Sequence, residues 1–542
     1  MEANDIVIKV DYRYLLMILV PLVTLILFPI QNELTWVILV IALSGLFTFV
    51  YQKADEDTLT NKKYAKQLII TLICAGFLIR LYEINSLSLW HDEAVTANIV
   101  KSFIENGIPT YPSGKLYTRE LFNQVLLSVS SKIFGHSDWA LRIPSAIAGT
   151  LTIGVTYLTG REFFNREVGL ISAFFIAFST WQITWSNQVR MYGLLQLLFL
   201  STILMIYYNY HIDADYQHIA TLLVLMVLAI FTHLIGYLLP FVLISYSFLV
   251  FIQSNKSIRS LIYVTLPIIF VFISINLFHQ NIIELIFSWL EFTSNTNLYV
   301  EWLVNNYNVM LGLGILGGFI GLKENMKASY LSAVSILPIF VVFFWFWETP
   351  GSRYLFVTFP FFAIFSALFL SKFSHLIHRA NSKNTLSRST ILIFLVVLTF
   401  SFGNFASGNY EPGLRAPQAD FRSAYTYIGE RIQNNDTVIS SWTAPTVHYL
   451  REPDYALIPE SSVPMSIYQG KDYYSGAPII YNASQLSNIV NESERGWLVL
   501  DDRAYNSQDK SRKKIIKELD KVQNSSTFRE ITVWKWDRES NK

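Results

Sequence analysis

The chain has 542 residues, of which 52% are hydrophobic and only 15% are charged. Soluble globular proteins carry about 25% charged residues, so this composition argues against a cytosolic enzyme. The mean hydropathy of +0.37 indicates an integral membrane protein with a sizeable soluble part. The 41 basic and 40 acidic residues nearly balance, which argues against nucleic acid as a partner. The single cysteine, Cys74, excludes an intramolecular disulfide and a cysteine-ligated zinc site.

Apolar stretches that could cross a membrane recur between residues 14 and 406. A transmembrane helix needs about 20 mostly apolar residues. The first stretch is not predicted to be a cleavable signal peptide, because a second follows at once without a small-residue cleavage site between them. Thirteen spans are predicted, at residues 14–31, 33–51, 66–84, 140–160, 167–185, 192–209, 217–232, 235–253, 259–277, 302–321, 329–347, 354–371 and 390–406.

Basic residues in the short loops predict the orientation of these spans. With thirteen spans counted, the lysine- and arginine-rich loops all fall on one side, which is then cytoplasmic. The chain is therefore predicted to be a multi-pass protein of the cell membrane, with a cytoplasmic N-terminus and everything after Ser407 outside. The residues concerned are Lys53, Lys62, Lys63, Lys66, Arg161, Arg166, Lys256, Arg259, Lys372, Arg379, Lys383 and Arg388.

Two regions interrupt the succession of tight hairpins. Residues 85–139 form a long external loop, in which 94–106 and 119–134 have the pattern of amphipathic helices lying at the membrane interface. Residues 407–542 form a polar ectodomain that follows a membrane domain of residues 1–406. The ectodomain is predicted to be a small α/β layer with helices at 419–434 and 510–523, strands at 437–441, 496–501 and 527–536, and four glycosylation sequons at Asn435, Asn482, Asn491 and Asn524.

The first candidate site is the acidic pair Asp92 and Glu93, with His91 beside it, a few residues beyond the third span. Adjacent carboxylates just outside a membrane are suited to a general base and a supporting or metal-binding neighbour. The alternative is that Asp92 caps the helix that follows and places negative charge in its first turn. The two interpretations are compatible with each other.

The second candidate is Arg190, flanked by Gln188 and Tyr192 at the outer start of the sixth span. An arginine at a helix end often only extends into lipid headgroups. The positive-inside bias gives no reason for a cation at this face, however, and paired guanidinium donors can hold a phosphate. Other polar residues predicted at the same face are Tyr117, Arg119, Glu120, Arg142, His233, Arg353 and Tyr354.

These polar clusters are separated in sequence, yet the predicted topology brings them to one membrane face. The predicted cytoplasmic ends carry little beyond plain lysine and arginine. A site of carboxylates, arginines and tyrosines at the outer face fits an anionic substrate such as a lipid-linked phosphate.

The order of these elements resembles the C-type (GT-C) membrane glycosyltransferases, specifically the family 39, protein-mannosyltransferase-like group. The resemblance covers roughly residues 66–371. It rests on the acidic pair, on Phe134-Gly135 leading into Ala140-Leu141-Arg142-Ile143-Pro144-Ser145, on the stretch Ser186–Leu195, on Thr232-His233, and on Arg353-Tyr354 followed by Pro360. Two departures concern Gln188, where the family usually has glutamate, and residues 114–119, where many members have His-Pro-Pro-Leu.

The resemblance implies a GT-C fold and transfer of a monosaccharide from a polyprenyl-phosphate donor to an extracytoplasmic protein, lipid or glycan, usually with inversion. Asp92 is then the candidate base and Glu93 its support. No cofactor is expected, although the residues leave a divalent metal ion open. Candidate donor-phosphate ligands are Arg190, Tyr192, Arg353 and Tyr354, and candidate substrate-binding residues are His91, Tyr117, Arg119, Glu120, Arg142, Gln188 and His233.

Two other functions remain open from the sequence. A lipid or polysaccharide transporter could also carry charged residues at its outer face, but the spans contain few ionisable residues for a translocation path. A binding module anchored by the membrane part would need far fewer spans. Membrane lipids are the remaining expected partner.

Overall fold

The computed structural model describes residues 62–82, 84–85, 87–211, 216–253, 269, 294–347, 351–380, 388–402, 419–458 and 467–538. Up to residue 402 the regular structure in these residues is helical. Short 3₁₀ helices cover Leu234–Tyr237, Ser352–Tyr354 and Phe356–Thr358. The α-helices are α1 (Lys62–Tyr82), α2 (His91–Asn106), α3 (Leu121–Phe134), α4 (Asp138–Phe163), α5 (Arg166–Phe178), α6 (Thr180–Ser186), α7 (Tyr192–His211), α8 (Tyr216–Thr232), α9 (Leu238–Gln253), α10 (Thr296–Glu324), α11 (Met326–Trp345), α12 (Phe359–Ala380) and α13 (Arg388–Phe402).

In the described residues, 7 helical segments are long and apolar enough to cross a membrane, or 8 if α5 and α6, bent by 61° at their junction, form one span. The seven are Tyr64–Tyr82, Asp138–Phe163, Tyr192–His211, Leu234–Gln253, Thr296–Glu324, Met326–Trp345 and Ser352–Ala380. This confirms a polytopic helical membrane protein. The predicted spans at 217–232 and 390–406 correspond to the shorter helices α8 and α13.

The count of thirteen spans stays a prediction. The predicted spans at 14–31 and 33–51 lie outside the described residues, as does the span at 259–277 apart from residue 269.

The chain forms two compact units. The first contains the described residues up to Arg80, Ile147–Ser186, and the described residues from Tyr192 to Phe402. The second contains Leu81–Ala146, Asn187–Met191 and the described residues from 419 to 538. The described residues of 85–139, which are predicted to form an external loop, thus belong to the same unit as the C-terminal region. The predicted domain limits of 1–406 and 407–542 separate the two regions, and those limits stay a prediction.

Within the first unit, Arg80 forms hydrogen bonds on both sides of the bend between α5 and α6. This arginine of α1 is fully buried. Its guanidinium donates to the Ser186 hydroxyl over 2.8 Å and to the carbonyl oxygens of Ile176 and Ala177 over 3.2 and 3.4 Å. A helix break in an apolar environment leaves carbonyl oxygens that must find donors. Arg80 supplies those donors to the last turn of α5.

The second unit ends in a layered α/β region. Its helices are α14 (Phe421–Gly429), α15 (Thr443–Tyr449), α16 (Ala483–Glu492), α17 (Asp502–Ser507) and α18 (Lys510–Lys517). Its strands are β1 (Thr437–Ser440), β2 (Tyr455–Ala456), β3 (Ile467–Tyr468), β4 (Lys471–Asp472), β5 (Arg495–Asp501), β6 (Asp520–Phe528) and β7 (Ile531–Asp537).

Five of these strands form one mixed sheet in the order β2-β1-β5-β7-β6. β1 is parallel to β2 and β5, whereas β7 is antiparallel to β5 and β6. Alternate residues of β5 face opposite layers: Trp497 packs with Phe421, and Leu498 packs with Ile516. The predicted α/β layer is therefore confirmed, with helices covering both faces of the sheet.

One predicted element of this region is wrong. The helix expected at 510–523 ends at Lys517, and strand β6 begins at Asp520. β6 and β7 form a hairpin whose connecting residues, Arg529 and Glu530, have φ angles of 28° and 67°. The polar residues of β6 show no apolar alternation from which a strand could be predicted.

Candidate active site

Glu93 lies in the first turn of α2 and is almost completely buried. Its carboxylate accepts hydrogen bonds from Nε and Nη2 of Arg142 over 3.0 and 2.8 Å, and from the backbone N–H of Val189 over 2.7 Å. Arg142 also donates to the carbonyl oxygen of Leu87 over 2.7 Å. A buried carboxylate paired in this two-pronged way is held rigidly. Glu93 and Arg142 therefore fix three chain segments of the second unit against each other.

Asp92 precedes Glu93 but has a different environment. It is partly buried, and within the described part of the chain its carboxylate accepts no hydrogen bond and forms no ion pair. The first helical bond of α2 runs from Ala94 to the carbonyl oxygen of Trp90, which is the N-cap residue. The interpretation of Asp92 as the helix cap is therefore wrong, because the helix begins one residue before it. Its charge still lies in the first turn, where the helix dipole stabilises it.

Arg190 forms hydrogen bonds to helix α2, which also contains Asp92 and Glu93. Its Nη1 donates to the Thr96 hydroxyl over 2.7 Å and to the backbone carbonyl of Asp92 over 3.4 Å. Its Nη2 forms an ion pair with Glu120 over 3.0 Å. Glu120 is buried at the start of α3, with a φ of 56°, and also accepts a hydrogen bond from the Tyr117 hydroxyl over 2.8 Å. Burial and the Glu120 charge raise the pKa of Tyr117 well above its usual value.

His91 connects this region to the C-terminal part of the same unit. Its ring lies 4.7 Å from that of Trp442 and 4.6 Å from that of Tyr474, measured between centroids. Burial lowers the pKa of His91, and the charges of Asp92 and Asp472 oppose that effect. A neutral imidazole in this position can donate or accept one hydrogen bond.

Several polar atoms in this region lack partners among the described residues. They are Nε1 of Trp90, Nδ1 of His91 and Oε1 of Gln188, all buried. Buried polar groups are normally hydrogen-bonded, so such atoms indicate a place where water or a polar ligand binds. Arg119 is exposed, and it forms no ion pair within the part of the chain that the structure describes.

The other candidate residues lie in the first unit. The ring of Tyr192 lies 5.7 Å from that of His233 and 6.3 Å from that of Tyr354. The guanidinium of Arg353 lies 5.2 Å from the centre of the Tyr354 ring. His233 caps the 3₁₀ helix that follows it by accepting a hydrogen bond from the Ile235 N–H over 3.1 Å.

The candidate residues thus form two groups, one in each unit. The second unit gathers Asp92, Glu93, His91, Tyr117, Arg119, Glu120, Arg142, Gln188 and Arg190, and the first gathers Tyr192, His233, Arg353 and Tyr354. Among the described residues, no group of three histidine, cysteine, aspartate or glutamate side chains could hold a metal ion.

Sequence reasoning missed Arg80 and the aromatic residues Trp442 and Tyr474. Arg80 carried a signal, because an ionisable residue inside an apolar span is a candidate for a special role. Trp442 and Tyr474 carried none. They lie far along the chain from His91, and only the folded unit brings them to it.

Residues 121–279 match the family model for dolichyl-phosphate-mannose-protein mannosyltransferase. No curated protein sequence matches the chain significantly. The family match lies inside the region, roughly 66–371, in which the sequence motifs show their resemblance.

Solved structures of similar fold include ArnT from Cupriavidus metallidurans in the apo state, with a TM-score of 0.59 and 12% sequence identity over 88% of this chain and 99% of that chain. ArnT bound to undecaprenyl phosphate gives a TM-score of 0.57 at 13% identity, over 86% and 97% of the two chains. The oligosaccharyltransferase AglB from Archaeoglobus fulgidus, in complex with an inhibitory peptide and a dolichol-phosphate, gives 0.53 at 14% identity, over 80% and 69%.

At these identities the structural matches show a shared fold. Together with the family match, they confirm the resemblance to the protein-mannosyltransferase-like GT-C enzymes and the GT-C fold class. The prediction of a membrane-embedded glycosyltransferase is confirmed with them.

Proposed function

We propose that this chain transfers a monosaccharide from a polyprenyl-phosphate donor to an extracytoplasmic acceptor, with Asp92 as the general base. The observation that carries this proposal is the contrast within one helical turn. Glu93 is fully paired, whereas the neighbouring Asp92 carboxylate accepts no hydrogen bond from any described residue. A base must have a lone pair available for the incoming proton.

Similarity to known proteins supports the lipid-linked donor. ArnT of the same fold has been solved with undecaprenyl phosphate, and AglB with a dolichol-phosphate and a peptide. The family model that matches residues 121–279 describes an enzyme that uses a dolichyl-phosphate sugar. A phosphate carried on a long isoprenoid chain fits a protein whose described helices include 7 candidate membrane spans.

The proposed reaction is a single displacement. The acceptor hydroxyl oxygen forms a bond to the anomeric carbon as the bond between that carbon and the phosphate oxygen breaks. The hydroxyl proton passes to the Asp92 carboxylate, and the polyprenyl phosphate leaves with the bonding electrons. The developing negative charge on the phosphate requires a cation, for which Arg190 of the second unit is proposed. Arg353, in the first unit, stays a candidate from the sequence alone. Inversion at the anomeric carbon follows from one displacement.

The decisive experiment is transfer from a panel of radiolabelled polyprenyl-phosphate sugars by purified protein, for the wild type and for Asp92→Asn. We expect the variant to lose about 10²–10⁴-fold in rate, since this is the usual contribution of a general base. Its melting temperature should stay unchanged, because the Asp92 carboxylate forms no hydrogen bond or ion pair with any described residue. Glu105→Gln is the matched control, because Glu105 is an exposed carboxylate on the same helix. Near-normal turnover in Asp92→Asn contradicts the proposal.

We also propose that the N-terminus is cytoplasmic and the C-terminal region extracytoplasmic, as the distribution of basic loops predicts. The test uses Ser484→Cys in a Cys74→Ser background, so that the chain contains one cysteine at an exposed position of the C-terminal region. A membrane-impermeant thiol reagent should label this variant in intact cells. Labelling only after permeabilisation would place the candidate active site on the wrong side for an extracytoplasmic acceptor.

A further inference from the structure

Residues 87–90 lead directly into α2, the helix that contains Asp92. In the structure these four residues form neither helix nor strand, yet Leu89 and Trp90 are buried. Backbone N–H and C=O groups in a buried segment without regular structure need partners from elsewhere in the chain. The side chains that supply those partners therefore determine where the start of α2 lies.

Two arginines from different parts of the chain bind the carbonyl oxygen of Leu87. Nη1 of Arg142, in α4, donates to this oxygen over 2.7 Å. Nη2 of Arg422, in α14 of the C-terminal region, donates to it over 2.8 Å. Arg142 is also paired with Glu93, and Arg422 is also paired with Asp138. The first residue of the segment is thus held by two ion pairs at once.

Tyr449, the last residue of α15, binds the next part of the segment. Its hydroxyl oxygen accepts a hydrogen bond from the Leu89 N–H over 2.6 Å, and its hydroxyl group donates to Asp138. Burial and the charge of Asp138 raise the pKa of Tyr449 above its usual value, so the hydroxyl stays protonated. Because its proton points to Asp138, a lone pair of the hydroxyl oxygen is left for the Leu89 N–H.

These contacts form a closed cycle of hydrogen bonds. The cycle runs from the Leu89 N–H to Tyr449, and from Tyr449 to Asp138. It continues from Asp138 to Arg422, which donates to Leu87, two residues before Leu89. Hydrogen bonds that share a charged pair are strong, and a cycle of them restrains every member. The segment cannot shift without breaking bonds at both Leu87 and Leu89.

The beginning of α15 contacts α2 as well. Trp442 directly precedes α15, and its ring centroid lies 4.7 Å from that of His91. The carbonyl oxygen of Ala444 accepts a hydrogen bond from the Asn98 side chain over 3.0 Å. The C-terminal region therefore contacts the chain both before and after Asp92.

From this geometry we propose that Tyr449 is a positioning residue of the active site. It acts through the Leu89 N–H, which fixes the segment that leads into α2 and so sets the place of the Asp92 carboxylate. This inference rests on the proposed function, in which Asp92 is the base. A base must lie about 3 Å from the proton that it accepts, and a misplacement of about 1 Å can lower a rate by about 10²-fold.

The test compares Tyr449→Phe with Tyr425→Phe in the purified full-length protein, using each radiolabelled polyprenyl-phosphate sugar that the wild type transfers. Both changes remove a hydroxyl that forms two hydrogen bonds, but Tyr425 bonds to Ser440 and Thr446 within the C-terminal region. Below both melting temperatures, Tyr449→Phe should lower kcat about tenfold, and Tyr425→Phe should not. Affinity for undecaprenyl phosphate should stay unchanged in both variants, because Arg190 keeps its partners.

A double variant separates positioning from general damage to the fold. In the Asp92→Asn background, Tyr449→Phe should lower the residual rate no further, because the base that it misplaces is already absent. Arg422→Lys supplies a second variant: it keeps the charge beside Asp138 but lacks the forked donors that reach Leu87, and it should also lower kcat. An equal loss in both backgrounds would overturn the proposal, as would an equal loss in the Tyr425 control.

Hydrogen exchange tests the restraint without any turnover. Tyr449→Phe should speed amide exchange in residues 87–93 about tenfold, measured by mass spectrometry, whereas Tyr425→Phe should leave these residues unchanged. Unchanged exchange in Tyr449→Phe would overturn the proposal. Failure of the proposed function is seen separately, as near-normal transfer by Asp92→Asn alone.

Discussion

Two aspartates of the second unit, Asp92 and Asp138, have contrasting environments. Asp138 is buried and accepts hydrogen bonds from Arg422, His448 and Tyr449. Asp92 is partly buried and has no such partner among the described residues. A carboxylate with all its lone pairs engaged holds segments together, whereas an unpaired one is available to take a proton. The partners of each carboxylate, rather than its residue type, therefore separate a structural role from a chemical one.

The largest expected effect on stability comes from substitution of Glu93. Like Asp138, Glu93 is a buried carboxylate paired with an arginine. Glu93→Gln removes the negative charge and leaves the Arg142 guanidinium buried without its counter-ion. Loss of one partner of a buried ion pair costs about 3–5 kcal/mol. We expect the melting temperature to fall steeply, measured by intrinsic fluorescence in detergent, while the exposed control Glu105→Gln changes little. A variant that melts like the wild type but transfers no sugar would instead assign Glu93 to the chemistry.

A direct test makes the same substitution, aspartate to asparagine, at both positions. Asp138→Asn should lower the stability by about 1–3 kcal/mol, less than Glu93→Gln because Arg422 is partly exposed and can be solvated. Asp92→Asn should leave the melting temperature unchanged and remove transfer. Equal destabilisation by the two substitutions would show that the partners of Asp138 add no stability beyond what Asp92 contributes without partners.

Much of the fold could be predicted because it depends on local patterns. The length of the apolar stretches was enough to predict the membrane helices that the structure describes. The amphipathic pattern of residues 94–106 and 119–134 predicted helices that correspond closely to α2 and α3. Strand β6 could not be predicted, because it is stabilised by pairing with β7 and its sequence has no apolar alternation. The joining of the external loop with the C-terminal region depends on contacts between distant segments, such as Leu89 N–H donating to the Tyr449 hydroxyl.

The candidate site was predictable in its residues but not in their pairing. Residue types indicated that Asp92, Glu93 and Arg190 belong to one group, and the structure places all three in the second unit. The sequence could not show that Glu93 is held by Arg142, because that depends on side-chain geometry. The loops predicted to be cytoplasmic contain more than plain lysine and arginine. Glu167, next to one of these loops, is buried and pairs with Arg388 over 2.5 Å.

Substitutions at the two ends of the Arg190–Glu120 ion pair should change donor affinity in opposite directions. If Arg190 binds the donor phosphate, the Glu120 carboxylate competes with that phosphate for the guanidinium. Arg190→Lys should weaken the binding of a polyprenyl-phosphate analogue about tenfold, because lysine lacks the forked donors. Glu120→Gln should strengthen it several-fold, since the amide oxygen can still accept the Tyr117 hydrogen bond without a charge. Titration of each variant with the analogue measures both effects.

A purely structural ion pair would give a different pattern in that titration. Both substitutions would then weaken donor binding together, through disorder of the segment that contains Arg190. The same series with Arg353→Lys tests whether the group in the first unit contributes to donor binding. Unchanged affinity in every variant would leave exposed Arg119 as the remaining cation to examine.

The smallest expected effect concerns the surroundings of Asp138 and depends on pH. The ring of His136 lies 5.7 Å from that of His448, which hydrogen-bonds to Asp138. In the folded protein, burial and the nearby His448 and Lys101 lower the pKa of His136 to about 4, and Asp138 opposes this effect. In the unfolded chain a histidine has a pKa of about 6.5. Below that pH the unfolded state therefore binds a proton that the folded state does not bind.

It follows that His136 contributes stability that is fully present above pH 6.5 and is lost as the pH falls towards 4. Its partial exposure reduces the effect to about 1–2 kcal/mol. His136→Asn keeps a polar side chain but does not titrate, so its melting temperature should fall less than that of the wild type between pH 7 and pH 4.5. Lys101→Gln removes one of the charges that lower the pKa, and it should shift the wild-type pH dependence part of the way towards that of His136→Asn. Parallel curves for all three proteins would show that the loss of stability in acid arises elsewhere, and that His136 is hydrated rather than held neutral beside the Asp138 cluster.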